Sequence, residues 1–293
     1  MPSRDGIGPA RLGMPADGRW ETVLDFVVAR TGVLADELAK AISRGEVMLG
    51  DGSAVSEHTA YQRGEVVYLY RPLRPEVEVP FVLTVLHQDN DIIVVDKPHF
   101  LATMPRGRHV VQTVVTRVRR DLGLRDAAPA HRLDRLTAGV LMLTLRPEVR
   151  AAYQNLFACG EVAKTYAALA PHNASLSNPV TVHNRLVKER GRWQTEVVDG
   201  EPNARTTVRL REVRGDLSIY ELHPHTGKTH QLRVHCAGLG VPIVGDPLYP
   251  EVRDVAADDF SDPLRLVAER LEFTDPLNGV QRVFESVRAV DSG

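Results

Sequence analysis

Residues 131–145, with the sequence HRLDRLTAGVLMLTL, join a charged segment to a strongly apolar run. A short apolar run of this kind predicts a strand that is buried on both faces of a sheet. Asp134 lies just before the run, between Arg132 and Arg135. Its carboxylate is therefore either part of a surface ion pair or a reactive group in a cleft that binds a polyanion.

Strands and helices alternate on either side of this run. Two strands about a D-N-D turn are predicted within 81–98, and a helix with valines on one face within 110–123. After the run we predict, in order, a helix that ends at Gly160, strands at 162–170, 206–213 and 217–224, and a helix at 229–238. Local and hairpin connections of this kind favour an α+β fold: one domain over 81–293 with a largely antiparallel mixed sheet flanked by helices.

The first 80 residues differ in pattern. Residues 1–18 are rich in Gly and Pro without an apolar period, so we expect a disordered arm. Residues 19–72 predict a small module of two helices, each closed by a glycine, and a β-ribbon. The proline-spaced residues 73–80 predict a linker.

Composition limits the class of protein. An apolar fraction of 43% in 293 residues is ordinary for a globular protein, and no apolar run approaches the roughly 20 residues that span a bilayer. Residues 1–20 have no apolar core typical of a signal peptide. The two cysteines, Cys159 and Cys236, form no CxxC pair. We therefore expect a cytoplasmic protein without disulfides, without a membrane partner and without a thiolate metal site, and a monomer by default.

The net charge of −2 conceals an uneven distribution. Residues 97–150 hold 11 Lys and Arg against 4 Asp and Glu, whereas 1–80 hold 9 against 12 and 239–293 hold 5 against 11. A polyanion would be drawn to the basic segment that contains Asp134. Taken alone, the RVRR run at 117–120 is better explained as the solvated face of a helix.

A reactive Asp134 needs a cationic partner. Burial alone would neutralise a carboxylate, whereas a nearby guanidinium keeps it charged and partly dehydrated. Arg233, between the apolar Leu232 and Val234 on a predicted helix, is the candidate for that partner. A structural Asp–Arg pair that fixes the helix to the sheet is an equal alternative on spacing alone.

Two other groups of residues are candidates for binding or catalysis. Lys164 and Tyr166 share one face of a strand and suit a phosphate contact beside an aromatic platform, although such a tyrosine is more often part of a core. Four histidines at 223, 225, 230 and 235 suggest zinc, but the last two lie five apart on a helix and diverge, so we expect no metal.

Four segments resemble, in order and spacing, the signature segments of the RluA-type pseudouridine synthases. They are DNDIIVVDKP, HRLDRLTAGVLMLT, AKTYAAL and HTGKTHQLRVHCAGLGVPIVGDPLY, and the resemblance covers residues from about 85 to 250. It implies the pseudouridine synthase fold and an enzyme that isomerises specific uridines in structured ribosomal or transfer RNA to pseudouridine, with neither cofactor nor metal. The uridine must be flipped out of the RNA to be reached.

The resemblance also implies roles for individual residues. Asp134 matches the nucleophile or base that starts cleavage of the glycosidic bond, Tyr166 the aromatic residue that stacks on the target base, and Arg233 the arginine that pairs with the aspartate. Arg132 matches the residue that enters the RNA stack where the base leaves. The remaining predicted contacts to substrate are His131, Arg135, Lys164, His230 and Gln231.

The sequence departs from the family's usual pattern at two places, and one alternative function stays open. Thr137-Ala138-Gly139 stands where the family usually has T-S-G, and His99-Phe100 stands where it has a small residue and a glycine. The N-terminal module resembles a small RNA-binding domain, yet Asp36 and Glu37 occupy a face expected to be basic. The alternative function is a non-catalytic RNA-binding protein on the same scaffold.

Overall fold

The computed structural model of the chain describes residues 1–70, 73 and 75–291. It contains two compact units, Met1–Pro75 and Glu76–Gly293. The division falls within the predicted linker. Arg71 and Pro72 of the predicted module and Arg74 of the linker lie outside the described residues.

The first unit consists of two helices and a three-stranded antiparallel sheet. Its elements are β1 (Ala10–Gly13), α1 (Val23–Thr31), α2 (Ala35–Ser43), β2 (Val47–Leu49) and β3 (Val66–Leu69), with strand order β1-β3-β2. Helix α1 begins with a capping box between Thr22 and Asp25 and ends at Gly32, whose φ of 72° is the left-handed conformation that glycine adopts readily.

Strand β1 corrects the prediction of a disordered arm over 1–18. It pairs with β3, with Ala10 opposite Leu69. Leu12 and Met14 are buried in the core of the unit, at 8% and 2% exposure. Apolar side chains recur at every second position here, but the many Gly and Pro residues obscure that pattern in the sequence. Pairing with a neighbouring strand stabilises the segment, because it buries these apolar side chains.

In its described residues, the second unit is built on an eleven-stranded sheet with three α-helices. Its elements, in chain order, are β4 (Thr84–Gln88), β5 (Ile92–Lys97), α3 (Val114–Asp121), β6 (Ala128–Pro129), β7 (Ala138–Thr144), α4 (Arg150–Cys159), β8 (Ala163–Pro171), β9 (Val180–Val187), β10 (Glu196–Val198), β11 (Ala204–Arg214), β12 (Leu217–Pro224), α5 (Gln231–Gly238), β13 (Leu266–Thr274) and β14 (Gln281–Glu285). The main order is β10-β9-β11-β12-β8-β13-β7-β5-β4, with β14 beside β13 and β6 beside β7.

Only the β13–β7 pairing is parallel among the strand pairs of the described residues. The predicted α+β fold with a largely antiparallel mixed sheet is thus confirmed. Strands β6, β9, β10, β13 and β14 were not predicted. Helix α3 begins at Val114 rather than near 110, because the Thr113 side chain accepts a hydrogen bond from the backbone N–H of Thr116 and so caps the helix there.

The central strands β5 and β7 are buried on both faces, as the apolar run at 140–145 indicated. Ile93 and Val95 pack in one core cluster with the valines of α3 and with Leu232 of α5, whereas Ile92 and Val94 pack in another with Tyr153 of α4. Helices therefore cover both faces of the sheet. The first cluster also contains Leu133 and Leu136, so it supports the segment that carries Asp134.

Gly139, the second residue of β7, is required by a close approach of two backbones. A Cβ at this position would lie 2.2 Å from the carbonyl oxygen of Ala268 on β13, and the φ of Gly139 is +109°. The only parallel pairing described in the sheet thus begins at the start of β7, directly after the loop that carries Asp134. A side chain at position 139 would push β7 and β13 apart.

Candidate active site

Asp134 lies in a short loop between β6 and β7. The backbone N–H of Thr137 donates to the carbonyl oxygen of Asp134 at 3.1 Å, which closes a turn. Leu133 and Leu136 are buried on either side, at 6% and 8% exposure, whereas Asp134 itself is half-buried. Two leucine anchors thus hold the carboxylate at the surface of the core rather than within it.

A second loop, residues 97–103, holds this turn by hydrogen bonds to successive backbone positions. The hydroxyl of Thr103 donates to the carbonyl of Leu133 at 2.8 Å and accepts from the Leu133 N–H at 3.1 Å. Nζ of Lys97 donates to the carbonyl of Arg135 at 3.1 Å, and Nδ1 of His99 lies 2.7 Å from the carbonyl of Leu136. The backbone around Asp134 is therefore fixed before any substrate binds.

Lys97 is a buried cation that the sequence analysis did not single out. Its side chain is fully buried, and Nζ also donates to the carbonyls of Pro98 at 3.0 Å and Leu101 at 2.7 Å. Burial lowers the pKa of Lys97 well below its usual value, and the negative charge of Asp134 opposes that shift. The signal in the sequence was a lysine at the end of a buried apolar strand, where a charged residue needs a specific reason.

Phe100 adopts a positive φ of 65°, which is unusual for a bulky residue. This is one of the two positions where the sequence departs from the related family's small residue and glycine. The ring is 5% exposed and packs against Phe81 and Phe260, with centroid distances of 6.1 Å and 5.2 Å. The guanidinium of Arg135 lies 5.9 Å from the ring centroid. Aromatic packing thus holds a glycine-like backbone and supports Arg135.

Arg233 does not pair with Asp134, contrary to the prediction. Its Nε and one terminal nitrogen donate to the two carboxylate oxygens of Asp246 at 2.8 Å and 2.6 Å. Both side chains are almost fully buried, at 2% and 0% exposure. The reason is geometric, because a buried guanidinium satisfies its fork best on one carboxylate that accepts both bonds. Asp134 forms no ion pair within residues 1–70, 73 and 75–291.

The Arg233–Asp246 pair is part of a network with Tyr249 and His230. Asp246 also accepts the backbone N–H of Leu248 at 2.8 Å and of Tyr249 at 3.1 Å. The Tyr249 ring lies 5.2 Å from the Arg233 guanidinium, and its hydroxyl is 3.0 Å from Nδ1 of His230. Burial works against the charge of Arg233, yet the hydrogen-bonded Asp246 outweighs it and raises the pKa of the guanidinium. Sequence analysis had not singled out Asp246 or Tyr249.

The charge of Asp134 nevertheless acts on a group of residues that the fold gathers around it. For Lys97, Tyr166 and His230, burial is the largest influence on the pKa and the negative charge of Asp134 is the next. Both effects raise the pKa of the Tyr166 hydroxyl, so the phenol is neutral at physiological pH. Asp134 acts on Arg233 as well, after Asp246. Tyr166, His230 and Arg233 thus lie close enough to Asp134 for its charge to act on them.

Two predicted contacts to substrate are occupied by internal interactions. The Gln231 amide accepts from the Thr226 hydroxyl and the Lys228 N–H and donates to the Arg205 carbonyl and the Thr206 hydroxyl, at 2.8–3.0 Å. Because both acceptor positions and both donor hydrogens are used, the Gln231 amide has a structural role in the protein. A contact of Gln231 with substrate stays a prediction.

His131 is the second of these. Its Nε2 accepts the backbone N–H of Met142 at 3.1 Å, and its ring stacks on Phe157 at a centroid distance of 4.3 Å. Burial, with a smaller contribution from the charge of Lys164, lowers the pKa of His131 to about 3. The ring is therefore neutral and fixes the start of the Asp134 loop to β7. A contact of His131 with RNA stays a prediction.

A basic rim, defined here as Arg108, Arg132, Arg135 and Lys164, adjoins the site. Arg132 is exposed and has no hydrogen bond or ion pair with the residues described. Burial lowers the pKa of Arg135, and the positive charges of Arg108 and Arg233 act in the same direction, which places these cations close together. Burial likewise lowers the pKa of Lys164. Clustered cations of this kind suit a phosphate backbone.

The four histidines considered for zinc have separate partners. His223 bonds to Glu221, His225 to Thr207, His230 to Tyr249 and His235 to Asn184. In the part of the chain that the structure describes, no three His, Cys, Asp or Glu side chains are grouped as a metal site would need. Among the same residues, no helix has the length and apolar character to cross a bilayer.

A groove of about 630 Å³ between residues 78–83 and α3 is not the site. None of its lining residues belongs to the two loops that hold Asp134. Its main cation, Arg117, is bound to the carbonyls of Phe81 and Val79, both at 2.6 Å.

We expect acid to weaken the second unit through His235, which is 1% exposed on α5. Burial lowers the pKa of His235 from 6.5 to about 4, so the unfolded chain binds a proton at a higher pH than the folded chain does. The stabilising contribution is complete above pH 6.5 and is lost as the pH falls toward 4, by up to about 1.4 kcal/mol per pH unit.

The measurement is the free energy of unfolding in urea at pH 7 and pH 5. The matched variant is His235→Gln, whose amide can still donate to Asn184 but does not titrate. It should lose less stability between the two pH values than the wild type does. Equal losses in the two proteins would show that His235 is not the group responsible.

Comparison with known proteins identifies the family of the chain. Residues 91–238 match the family model described as RNA pseudouridylate synthase. The chain is 31% identical over 264 residues to "Ribosomal large subunit pseudouridine synthase D" of Xanthomonas campestris pv. campestris, covering 83% of this chain and 77% of the relative. It is 29% identical over 239 residues to "Dual-specificity RNA pseudouridine synthase RluA" of Haemophilus ducreyi, covering 75% and 97%.

A solved structure leads to the same class. The structure of "Human RNA Pseudouridylate Synthase Domain Containing 1" superposes on this chain with a TM-score of 0.57 and 25% sequence identity. The superposition covers 71% of this chain and 85% of the human chain. The α+β fold is thus that of an RNA-modifying enzyme. The chain belongs to the RNA pseudouridylate synthase family and is an RluA-type RNA pseudouridine synthase, as the resemblance implied.

Proposed function

We propose that this enzyme flips a specific uridine out of structured ribosomal or transfer RNA and that Asp134 starts the isomerisation of that nucleotide. One observation carries the proposal: a half-buried carboxylate on a loop held by two leucine anchors and by the 97–103 loop, with the basic rim beside it. Because the backbone around Asp134 is fixed in this way, only the side chain has to be oriented for the carboxylate to act at the sugar or the base.

Tyr166 supplies the second element of the proposal. It lies on β8 as a neutral, half-buried phenol whose hydroxyl has no hydrogen-bond partner among the described residues. An aromatic face at this position suits stacking on an everted pyrimidine, and stacking offsets part of the roughly few kcal/mol needed to unstack the nucleotide. Because its pKa is raised, Tyr166 would take part in proton transfer as a hydrogen-bonded phenol rather than as a phenolate.

The cations around Asp134 bind the RNA or support the charge of the carboxylate. Arg132 is the residue free to enter the RNA stack, while Arg108, Arg135 and Lys164 face the phosphates. Arg233 supports Asp134 through space, because its hydrogen bonds are given to Asp246. Lys97 fixes the backbone of the neighbouring Arg135, and its side chain lies close enough to Asp134 for the charge of the carboxylate to act on it.

Transcriptome-wide pseudouridine mapping tests the function and identifies the substrate. RNA from cells with and without the gene is compared, and the purified enzyme is then added to the RNA that lacks it. We expect one or a few uridines to be pseudouridine only when the enzyme is present and to be restored in vitro. Identical maps, together with no product in vitro, would favour a non-catalytic RNA-binding protein on this scaffold.

A further inference from the structure

The loop between β9 and β10 presents an exposed tryptophan among cations. Residues 188–193, KERGRW, are all exposed, and Trp193 keeps 68% of its surface accessible to solvent. The other tryptophan of the chain, Trp20, packs against Phe26 and Tyr61 in the first unit. An indole with this much exposed surface at the edge of a sheet is available to stack on another flat ring.

The base of this loop is attached to the network around Arg233. The backbone N–H of Thr195 donates to the hydroxyl of Tyr249, which is also the partner of His230. Nε2 of Gln194 donates to the carbonyl of Leu248. Trp193 is thus two residues from Thr195, which is hydrogen-bonded to Tyr249 beside the candidate site. The positive charge of Lys188 is one of the influences that lower the pKa of His230, after burial, which places the lysine near the site too.

Cations of the loop differ in how far they are neutralised. Arg192 pairs with Glu189 at 2.8 Å and with Glu196 at 2.6 Å. Arg190 has no hydrogen bond or ion pair with the rest of the described chain, and Lys188 bonds only to the backbone carbonyl of Arg192. Two cations and an indole therefore stay available on one short loop, and a phosphate backbone with an unstacked base has the complementary charge and shape.

Resting on the proposed function, we infer that the loop 188–193 is a second RNA-binding element: Trp193 stacks on an unpaired base outside the reacting nucleotide, and Lys188 and Arg190 contact its phosphates. The element holds RNA next to the catalytic site without touching the reacting atoms. Its loss should therefore raise the KM for RNA and leave kcat nearly unchanged.

Tryptophan fluorescence gives a direct test. In a Trp20→Phe background, Trp193 is the only tryptophan, and Asp134→Asn prevents turnover. Titration with a single-stranded oligouridylate should quench the emission, because the base stacks on the indole. In a separate assay with labelled oligouridylate, Trp193→Ala should weaken binding roughly tenfold, and Trp193→Phe should restore much of it, because an aromatic face is retained.

Kinetics with the RNA found by mapping give the second test. Trp193→Ala, and separately Lys188→Ala combined with Arg190→Ala, should raise KM with little change in kcat. The matched control is Val287→Ala, which truncates a side chain that is 75% exposed elsewhere on the unit and should behave as wild type. The inference is overturned if Trp193→Ala has the KM and the oligouridylate affinity of the control, or if RNA leaves the emission of Trp193 unchanged.

The two proposals fail separately. A wild-type enzyme that makes pseudouridine while Trp193→Ala matches it refutes only the loop. A wild-type enzyme that makes none, although oligouridylate quenches Trp193 and Trp193→Ala weakens binding, refutes the proposed function and supports the loop as an RNA contact.

Discussion

Asp134→Asn should reduce pseudouridine formation by roughly a thousandfold or more, because an amide of the same shape can neither attack carbon nor accept a proton as a carboxylate does. The side chain makes no hydrogen bond or ion pair with the described residues, so the fold should tolerate the change. Single-turnover release of tritium from 5-tritiated uridine in the mapped RNA measures the rate.

Two controls separate chemistry from folding and binding. The thermal midpoint of Asp134→Asn should stay within a few degrees of the wild type, and its affinity for RNA should be similar. Arg132→Ala should keep the fold and lower activity through RNA binding or base eversion. An Asp134→Asn enzyme with wild-type turnover would rule out the proposed role of the carboxylate.

Arg233→Met should lower the free energy of unfolding by about 3–5 kcal/mol. The substitution leaves Asp246 charged and buried, with only the N–H groups of Leu248 and Tyr249 to solvate it. Chemical denaturation at pH 7 measures the effect. A loss below about 1 kcal/mol would mean that the ion pair is not the main contribution of Arg233 to stability.

A double-mutant cycle then separates stability from catalysis. Asp246→Asn keeps an oxygen acceptor for the two backbone N–H groups while removing the charge, so Arg233→Met combined with Asp246→Asn should recover much of the lost stability. If Arg233 also supports the charge of Asp134, the stable double variant should still turn over slowly. Recovery of both stability and turnover would limit Arg233 to a structural role.

The prediction for Arg233 was right about the helix and wrong about the contact. The apolar neighbours Leu232 and Val234 indicated a buried arginine, but nothing in the local sequence distinguishes one aspartate partner from another. Asp246 lies 13 residues further along the chain, and its oxygens reach the guanidinium because the backbone after α5 turns back on the helix. Two nitrogens of the guanidinium are occupied by Asp246, so Arg233 acts on Asp134 through its charge rather than through an ion pair.

The sequence by itself determined the fold class and the site's position. The buried strand at 140–145, the capped helices and the order of the four signature segments are local patterns, set by side-chain periodicity and by residue identity. They were enough to identify the family and to choose Asp134, because each signature segment is recognisable from its own residues.

Only the tertiary structure decided how that site is held. The burial of Lys97, the hydrogen bonds from the 97–103 loop to the Asp134 turn, the internal role of Gln231 and the pairing of β1 with β3 all join segments that are distant in sequence. In each case a buried polar group or an apolar face has several possible partners in the sequence. The partner that it contacts is the one that the folded backbone brings close, and a local sequence pattern does not specify which one that is.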